Sequence, residues 1–253
     1  MICKTPAIPI RIAPFGGTSH IVTWFTPEYG KIATVIKGAC RPKRAGGGQY
    51  DLGYLCELLF YEKESNGLHV FKDCTALDTQ SQCRGDWQRT AAISYLCLLA
   101  GTGTIERTQV PGLYNLLLAG CTAIRSAASL PRLLLWVDLQ ILALHGVAPQ
   151  LEQCTLCHCP PSGQDQLAVR IGGLLCPTCA KARPTPTTPL SSEGWTLLRQ
   201  LQRLTRPLPP SHPNAIHADG NDAILAIGHF LAFWIDLAPA SRAVAYQMIS
   251  LNL

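Results

Sequence analysis

The sequence predicts an α+β protein. A five-stranded OB-fold β-barrel occupies residues 1–80, and an α-helical domain over residues 81–253 carries a cysteine-rich insertion at about 151–183. Three observations predict it. The first eighty positions read as short strands broken by turns, with Lys31 to Lys37 alternating at the period of two that a half-buried strand requires. From Asp86 onward they recur at spacings of three and four, the helical period. Two Cys-x2-Cys pairs then stand in a short stretch that follows neither period. With 253 residues, 15% charged and 47% apolar, the chain is long enough for a stable core and is neither disordered nor fibrous in composition.

The elements follow in order. Ile8 to Ile12 is a short opening strand, and Pro6 and Pro9 are expected to limit its pairing. His20 to Phe25 is rich in β-branched and aromatic residues and runs into the turn Thr26-Pro27-Glu28-Tyr29-Gly30. Lys31 to Lys37 sets Ile32, Thr34 and Ile36 against Ala33, Val35 and Lys37 on opposite faces. After the Gly-rich loop Ala45 to Gly48, Tyr54 to Glu62 forms a long strand. Asn66-Gly67, a strong hairpin signal, returns it through Leu68 to Cys74. Five short strands in about eighty residues fit a small barrel. Helices are expected at Trp87 to Leu99 with Asp86 as cap, at Leu113 to Ser126, and at Leu130 to Leu144 with Pro131 in its first turn. Beyond the insertion, Arg183 to Ser192 is a connector, Gly194 to Arg206 a helix, and Asn221 to Leu237 a final apolar helix.

The most apolar stretch, Leu130 to Leu144, contains Arg132 and Asp138 and falls short of the roughly 20 apolar residues of a span, so no membrane segment is expected. The N-terminus has no apolar leader, which points to the cytosol. Twelve cysteines there are thiols and metal ligands rather than a disulfide frame. Cys154-Thr-Leu-Cys157 and Cys176-Pro-Thr-Cys179 enclose 18 residues, within the spacing of four-cysteine zinc sites. A two-residue gap lets both sulfurs of a knuckle reach one ion, and two knuckles complete a tetrahedron with no open position, which makes Zn2+ structural. Cys159 and His158 flank the first knuckle, and Cys159 reads as a spare thiol. Cys3, Cys40, Cys56, Cys74, Cys83, Cys97 and Cys121 read as small buried hydrophobes.

The net charge of +5 is unevenly placed. Lys31, Lys37, Arg41, Lys43 and Arg44 fall within fourteen residues that contain no acid. Trp24, Phe25 and Tyr29 lie on the neighbouring strand and turn. Cations interleaved with aromatics on a barrel face are how proteins hold single-stranded nucleic acid without reading its sequence. Lys31, Lys37, Arg41, Lys43, Arg44, Trp24 and Tyr29 are therefore the candidate nucleic-acid contacts. Catalytic patterns are missing: there is no G-x-x-x-x-G-K-[ST], H-E-x-x-H or G-x-S-x-G, and the seven histidines are not grouped with carboxylates. The chain is not expected to be an enzyme.

Several segments carry a family resemblance. Ala13-Pro14-Phe15-Gly16, the run Ile21 to Lys31, and Lys37-Gly38-Ala39-Cys40-Arg41 resemble the opening of the RecO family of bacterial recombination mediators. Leu139 to Pro149, leading into the first knuckle, resembles the helix before that family's zinc motif. The resemblance spans roughly residues 8 to 180. It implies an OB-fold, a helical domain and a zinc module. It further implies binding of single- and double-stranded DNA, annealing of complementary strands, and work with RecR to load RecA onto DNA coated by single-strand binding protein. A cytoplasmic, nucleoid-associated DNA repair protein is expected, one that also binds the acidic, apolar tail of the coating protein. Arg199, Arg203 and Arg206, at helical spacing, are the candidates for that tail. The rival reading is a zinc-stabilised adaptor whose basic loop docks only protein partners; salt-titrated binding of single-stranded oligonucleotides separates the two.

Overall fold

The computed structural model describes residues 1–40, 49–63, 67–110, 112–183, 185–207 and 220–250. The chain divides into two compact units, Met1–Arg125 and Ser126–Leu253.

In the first unit β1 (Ile2–Phe15), β2 (Ser19–Thr26), β3 (Gly30–Ile36), β4 (Leu55–Tyr61) and β5 (His69–Asp78) close an OB-type barrel in the order β1-β2-β3-β5-β4. β3 and β5 pair in parallel and the other neighbours antiparallel. β1 is far longer than its prolines led us to expect, because it serves two partners. Residues Ile2 to Ala7 pair with β4, and Ile8 to Phe15 with β2. Pro6 needs a partner on one side only, and Pro9 sits at the register shift between Pro9 and Arg11, where a missing N–H costs least. Asn66 lies outside the described residues, but the strands it was expected to join do pair antiparallel.

Among the described residues, three helices complete this unit: α1 (Ser81–Arg84), α2 (Trp87–Gly101) and α3 (Leu113–Ile124). Asp86 caps α2 by accepting from the Gln88 and Arg89 N–H groups. α2 lies against β1, where the Cys97 thiol donates to the Pro9 carbonyl at 3.7 Å. Gly30 holds φ +62°, and a Cβ there would stand 2.3 Å from the Thr108 carbonyl oxygen, so the turn into β3 admits only glycine.

The second unit is built around α4 (Leu130–Leu144), capped by Ser129 and buried on nearly every side. After it come β6 (Gln166–Ala168), β7 (Gly173–Leu175), α5 (Pro177–Ala182) and β8 (Thr187–Pro189). The helices α6 (Ser192–Arg203), α7 (Asn221–Trp234) and α8 (Pro239–Ser250) follow. Two expectations need correction. The connector after Arg183 contains β8, which pairs with β6. The final helix stops at Trp234, Asp236 turns the chain at φ +57°, and a separate α8 begins at Pro239. A buried polar cluster explains why α8 exists. Asp138 of α4 accepts from Arg242 Nη2 at 2.7 Å and from Tyr246 Oη at 2.9 Å, while Arg242 Nη1 donates to the Ile224 carbonyl at 2.7 Å. One carboxylate thus fastens α8 to α4, and the arginine fastens both to α7. Among the described residues no helix is long and apolar enough to cross a membrane.

Candidate metal centre and nucleic-acid interface

The cysteine module is a hairpin clasped along its β7 edge. β6 and β7 pair antiparallel, β8 adds to the far edge of β6, and Gln150 bridges to Gly173. The Leu174 N–H donates to the Gln150 carbonyl at 2.9 Å and the Thr155 N–H to the Leu174 carbonyl at 2.8 Å. These bonds place the first knuckle beside the start of α5, where the second knuckle begins. The sulfurs of Cys154, Cys157, Cys176 and Cys179 all lie within 4.8 Å of one another, close enough to hold one metal ion. Cys157 and Cys176 are 3.7 Å apart. A tetrahedron with metal–sulfur bonds of about 2.3 Å requires sulfurs about 3.8 Å apart, so the residues fit the group.

The backbone prepares the sulfurs for a cation. The Cys176 N–H points at Cys154 Sγ (3.4 Å) and the Cys179 N–H at Cys176 Sγ (3.5 Å). Burial pushes the Cys154 thiol up, but the N–H groups of Cys157, Cys176 and Leu156 outweigh it and bring the group down to about 6. The Cys179 N–H likewise holds Cys176 below its ordinary value. Hydrogen bonds with Cys157 and Cys176 push Cys179 up to about 12. Four sulfurs this close cannot all ionise unless a cation offsets their repulsion. Cys159 is outside the set of four; a hydrogen bond with Cys157, helped by burial, pushes it up to about 12 and keeps it protonated. His158 takes φ +61° in the knuckle turn, and its Nδ1 lies 3.1 Å from Gln153 Nε2.

The barrel treats its predicted nucleic-acid contacts unequally. Trp24 is 0% exposed, inside the barrel core, and its Nε1 donates to Thr34 Oγ1 at 2.9 Å. It is a core residue, not a stacking platform. Phe25 is buried too, although adjacent strand residues point to opposite faces. The alternation holds, but α2 covers part of the outside of the barrel, so both faces lack solvent at this end. Tyr29 packs edge-on against Phe60 with centroids 5.3 Å apart, and its hydrogen bond with Cys3, with burial, pushes the phenol up to about 12. Lys31 Nζ donates to the Gly101 carbonyl at 3.1 Å and also to that of Thr104. Gly101 ends α2, whose last carbonyls lack helical partners, and Lys31 supplies the donor. Its ammonium is a staple, and burial lowers its pKa.

Lys37 follows β3 and is exposed. Arg41, Lys43 and Arg44 lie outside the described residues. A cation that the sequence reading passed over, Arg11, is exposed on β1. Register places it across from Thr23, which pairs with Ala33, while Ala13 pairs with Ile21 and Ile21 with Val35. These half-exposed residues form the uncovered part of the outer face, and the alternation of β3 carries that face on to Lys37. The signal for Arg11 was the parity of β1, hidden by reading the strand as a short proline-flanked segment.

In the second unit, Arg199 and Arg203 do share a face of α6, and both pair with Glu152, at 2.6 and 2.8 Å. The Arg199 guanidinium, with Arg203 behind it, holds the Glu152 carboxyl below its ordinary value. Arg206 lies past the end of α6 and is exposed, so the expected three-residue stripe is a pair. Of the seven scattered cysteines, Cys3, Cys56, Cys74, Cys83, Cys97 and Cys121 are buried as expected, but Cys40 is exposed.

Comparison with known proteins now decides the family. The model of the recombination protein O N terminal matches residues 1–80, and that of the recombination protein O C terminal matches residues 84–218. The chain belongs to the RecO family. Among similar proteins is the DNA repair protein RecO of Bacillus pumilus, 29% identical over 203 residues, 79% of this chain and 76% of the relative. That of Anaeromyxobacter dehalogenans is 28% identical over 240 residues, 94% of each chain. That of Syntrophus aciditrophicus is 27% identical over 188 residues, 74% of this chain and 71% of the relative. RecO family membership gives the protein a role in DNA repair and recombination.

Proposed function

We propose that this RecO-family protein binds single- and double-stranded DNA on the uncovered outer face of its barrel, anneals complementary strands there, and with RecR helps load RecA onto DNA coated by single-strand binding protein. One observation carries the reading: the outer face that α2 leaves open presents Arg11 and runs on to exposed Lys37, directly before Arg41, Lys43 and Arg44 in the sequence. Cations on one face neutralise phosphates of two strands at once, lower their mutual repulsion and let bases search for partners. Released counterions drive such binding, so it weakens steeply with salt. Lys31, Trp24 and Tyr29 support this face from within by fixing the strands that carry it.

The four sulfurs hold Zn2+ in this reading, and the ion supplies a structural brace. The protein works as a mediator, by binding rather than by making or breaking covalent bonds, in the cytoplasm and at the nucleoid. An acidic, apolar peptide such as the tail of single-strand binding protein would compete with Glu152 for Arg199 and Arg203, leaving Arg206 as the remaining member of that candidate site. The test is annealing and salt-titrated binding of single-stranded oligonucleotides by the parent and by Lys37→Ala/Arg41→Ala. The double variant should lose affinity similarly for all sequences and flatten the salt dependence by about 0.7 per phosphate contact removed. Parent-like binding at low and high salt rejects this face. Binding of no oligonucleotide by the parent would favour the protein-only adaptor.

A further inference from the structure

At the end of the barrel where β2 begins and β3 has ended, three side chains meet in series. Cys40 Sγ lies 3.3 Å from His20 Nε2, and His20 Nδ1 lies 3.0 Å from Tyr50 Oη. The arrangement is fixed from both directions. The Tyr50 ring packs against Trp24, centroids 5.9 Å apart, and against Phe71 at 6.4 Å, and the His20 ring stands edge-on to it. From the other side, the Cys40 N–H donates to the Thr18 carbonyl at 3.0 Å and the Gly38 N–H to Ser19 Oγ at 3.4 Å, which ties the loop bearing the thiol to the start of β2. The tautomer with the proton on Nδ1, donated to Tyr50, leaves Nε2 to accept from the thiol. A nucleophile within reach of a base that a third group orients is the arrangement that activates a sulfur. The thiol is exposed, whereas the other six cysteines outside the metal module are buried.

We infer that Cys40 is a reactive thiol, activated by His20, that hydrogen peroxide oxidises to the sulfenic acid and low-molecular-weight thiols then cap. In the first step His20 Nε2 takes the thiol proton and the sulfur attacks one peroxide oxygen. The S–O bond forms as the O–O bond breaks, and the departing hydroxide takes the proton from His20 and leaves as water. Sulfur is oxidised by two electrons and the peroxide is reduced. In the second step a thiol such as glutathione displaces the sulfenic oxygen as a second water and leaves a mixed disulfide. Because Cys40 lies between Lys37 and Arg41, an anionic cap there puts negative charge beside the cations and lowers DNA affinity; this consequence, unlike the reactivity, rests on the proposed DNA face.

The test uses the metal-loaded full chain. It is treated with hydrogen peroxide, its sulfenic acid is trapped with dimedone, and the labelled cysteine is mapped by mass spectrometry. Cys40 should be labelled first. His20→Asn should slow that labelling about tenfold, by removing the base, at an unchanged melting temperature. Labelling that appears first on the metal-site cysteines, or a Cys40 rate that His20→Asn leaves unchanged in a folded protein, overturns the inference. A second arm compares oligonucleotide binding before and after glutathione capping, with Cys40→Ser as the uncapped control. Loss of affinity in the parent alone supports the charge effect. Confirmed capping with unchanged affinity rejects the DNA face and leaves the reactive thiol standing.

Discussion

The barrel and the cysteine module are both small β structures, and among the described residues their interiors differ in kind. The barrel closes around Trp24, Phe60, Leu58, Ile32, Ile36 and Val22, with Ala7 and three buried cysteines filling the gaps. The module closes around Cys154, Ala168, Leu175 and Cys176, two of which are also candidate metal ligands. Large apolar side chains each contribute about 1.5–3 kcal/mol on full burial, and the barrel has many of them. The module's buried cluster is smaller and includes cysteines that lie close enough together to hold a metal ion, so a bound ion would add to its stabilisation. Cysteine thus appears in two settings in one chain: in the barrel as a small hydrophobe, and in the module as one of four clustered sulfurs able to hold a metal ion.

The largest expected effect breaks the comparison on the module side. Metal binding to small cysteine sites is worth on the order of 10 kcal/mol at neutral pH. Stripping the ion with a chelator, or replacing Cys176 with Ala, should melt the module while the barrel remains folded. Trp195 reports on it, since its Nε1 donates to the Leu151 carbonyl at 2.7 Å just before the first knuckle. Its fluorescence should change on chelation and return with added zinc. An unchanged thermal transition would mean that the apolar contacts suffice without metal.

On the barrel side, Trp24→Ala should cost about 3–5 kcal/mol, as deletion of a large buried aromatic does. Trp24→Phe should cost less and leave the Thr34 hydroxyl without its donor. Urea denaturation measures both. The Phe variant, assayed well below its midpoint, should bind oligonucleotides like the parent. A lost affinity at parent stability would restore Trp24 as a stacking residue. A smaller effect separates two lysines that look equivalent in the sequence. Lys31→Ala should lower stability by about 1 kcal/mol and leave DNA affinity alone, because its ammonium bonds two carbonyls. Lys37→Ala should do the reverse. Paired urea and salt titrations of the two variants check this, and equal DNA losses would break the distinction.

These cases also mark how far the sequence could be read. Period and turn chemistry located all five barrel strands, and the spacing of the paired cysteines located the four sulfurs, because both signals are local and repeat. What escaped was set by partners distant in the chain. Trp24 and Tyr29 have the composition of a nucleic-acid face, but that same composition fills a barrel core, and only closure decides between them. Lys31 lies in a basic run, yet its role depends on the end of a helix seventy residues later. α8 was not separated from the helix before it because what fixes it is a distant partner: Asp138 on α4 draws Arg242 inside. Cys40 was grouped with six buried cysteines because nothing in its neighbours reveals His20 beside it.

The smallest effect tests whether the barrel is self-sufficient or needs its helical neighbours. Asp78 ends β5, and its carboxylate accepts from the Gln80 N–H at 2.9 Å and from Arg125, which follows α3. Burial pushes this carboxyl up, but those two donors outweigh it, and the net pKa lies below the ordinary 3.8. A carboxyl depressed on folding stabilises the native state above its unfolded pKa, and that contribution is lost as pH falls through the folded value. The pair is partly solvated, so the contribution is about 0.5 kcal/mol. Asp78→Asn should therefore lower the urea midpoint slightly at pH 7. The gap from the parent should narrow once pH drops below 3.8 and close at the depressed folded value. A gap that stays constant down to pH 3 would assign the loss to packing at the β5 terminus. A gap that widens toward acid would mean the carboxyl is raised on folding, with burial outweighing Arg125 and Gln80.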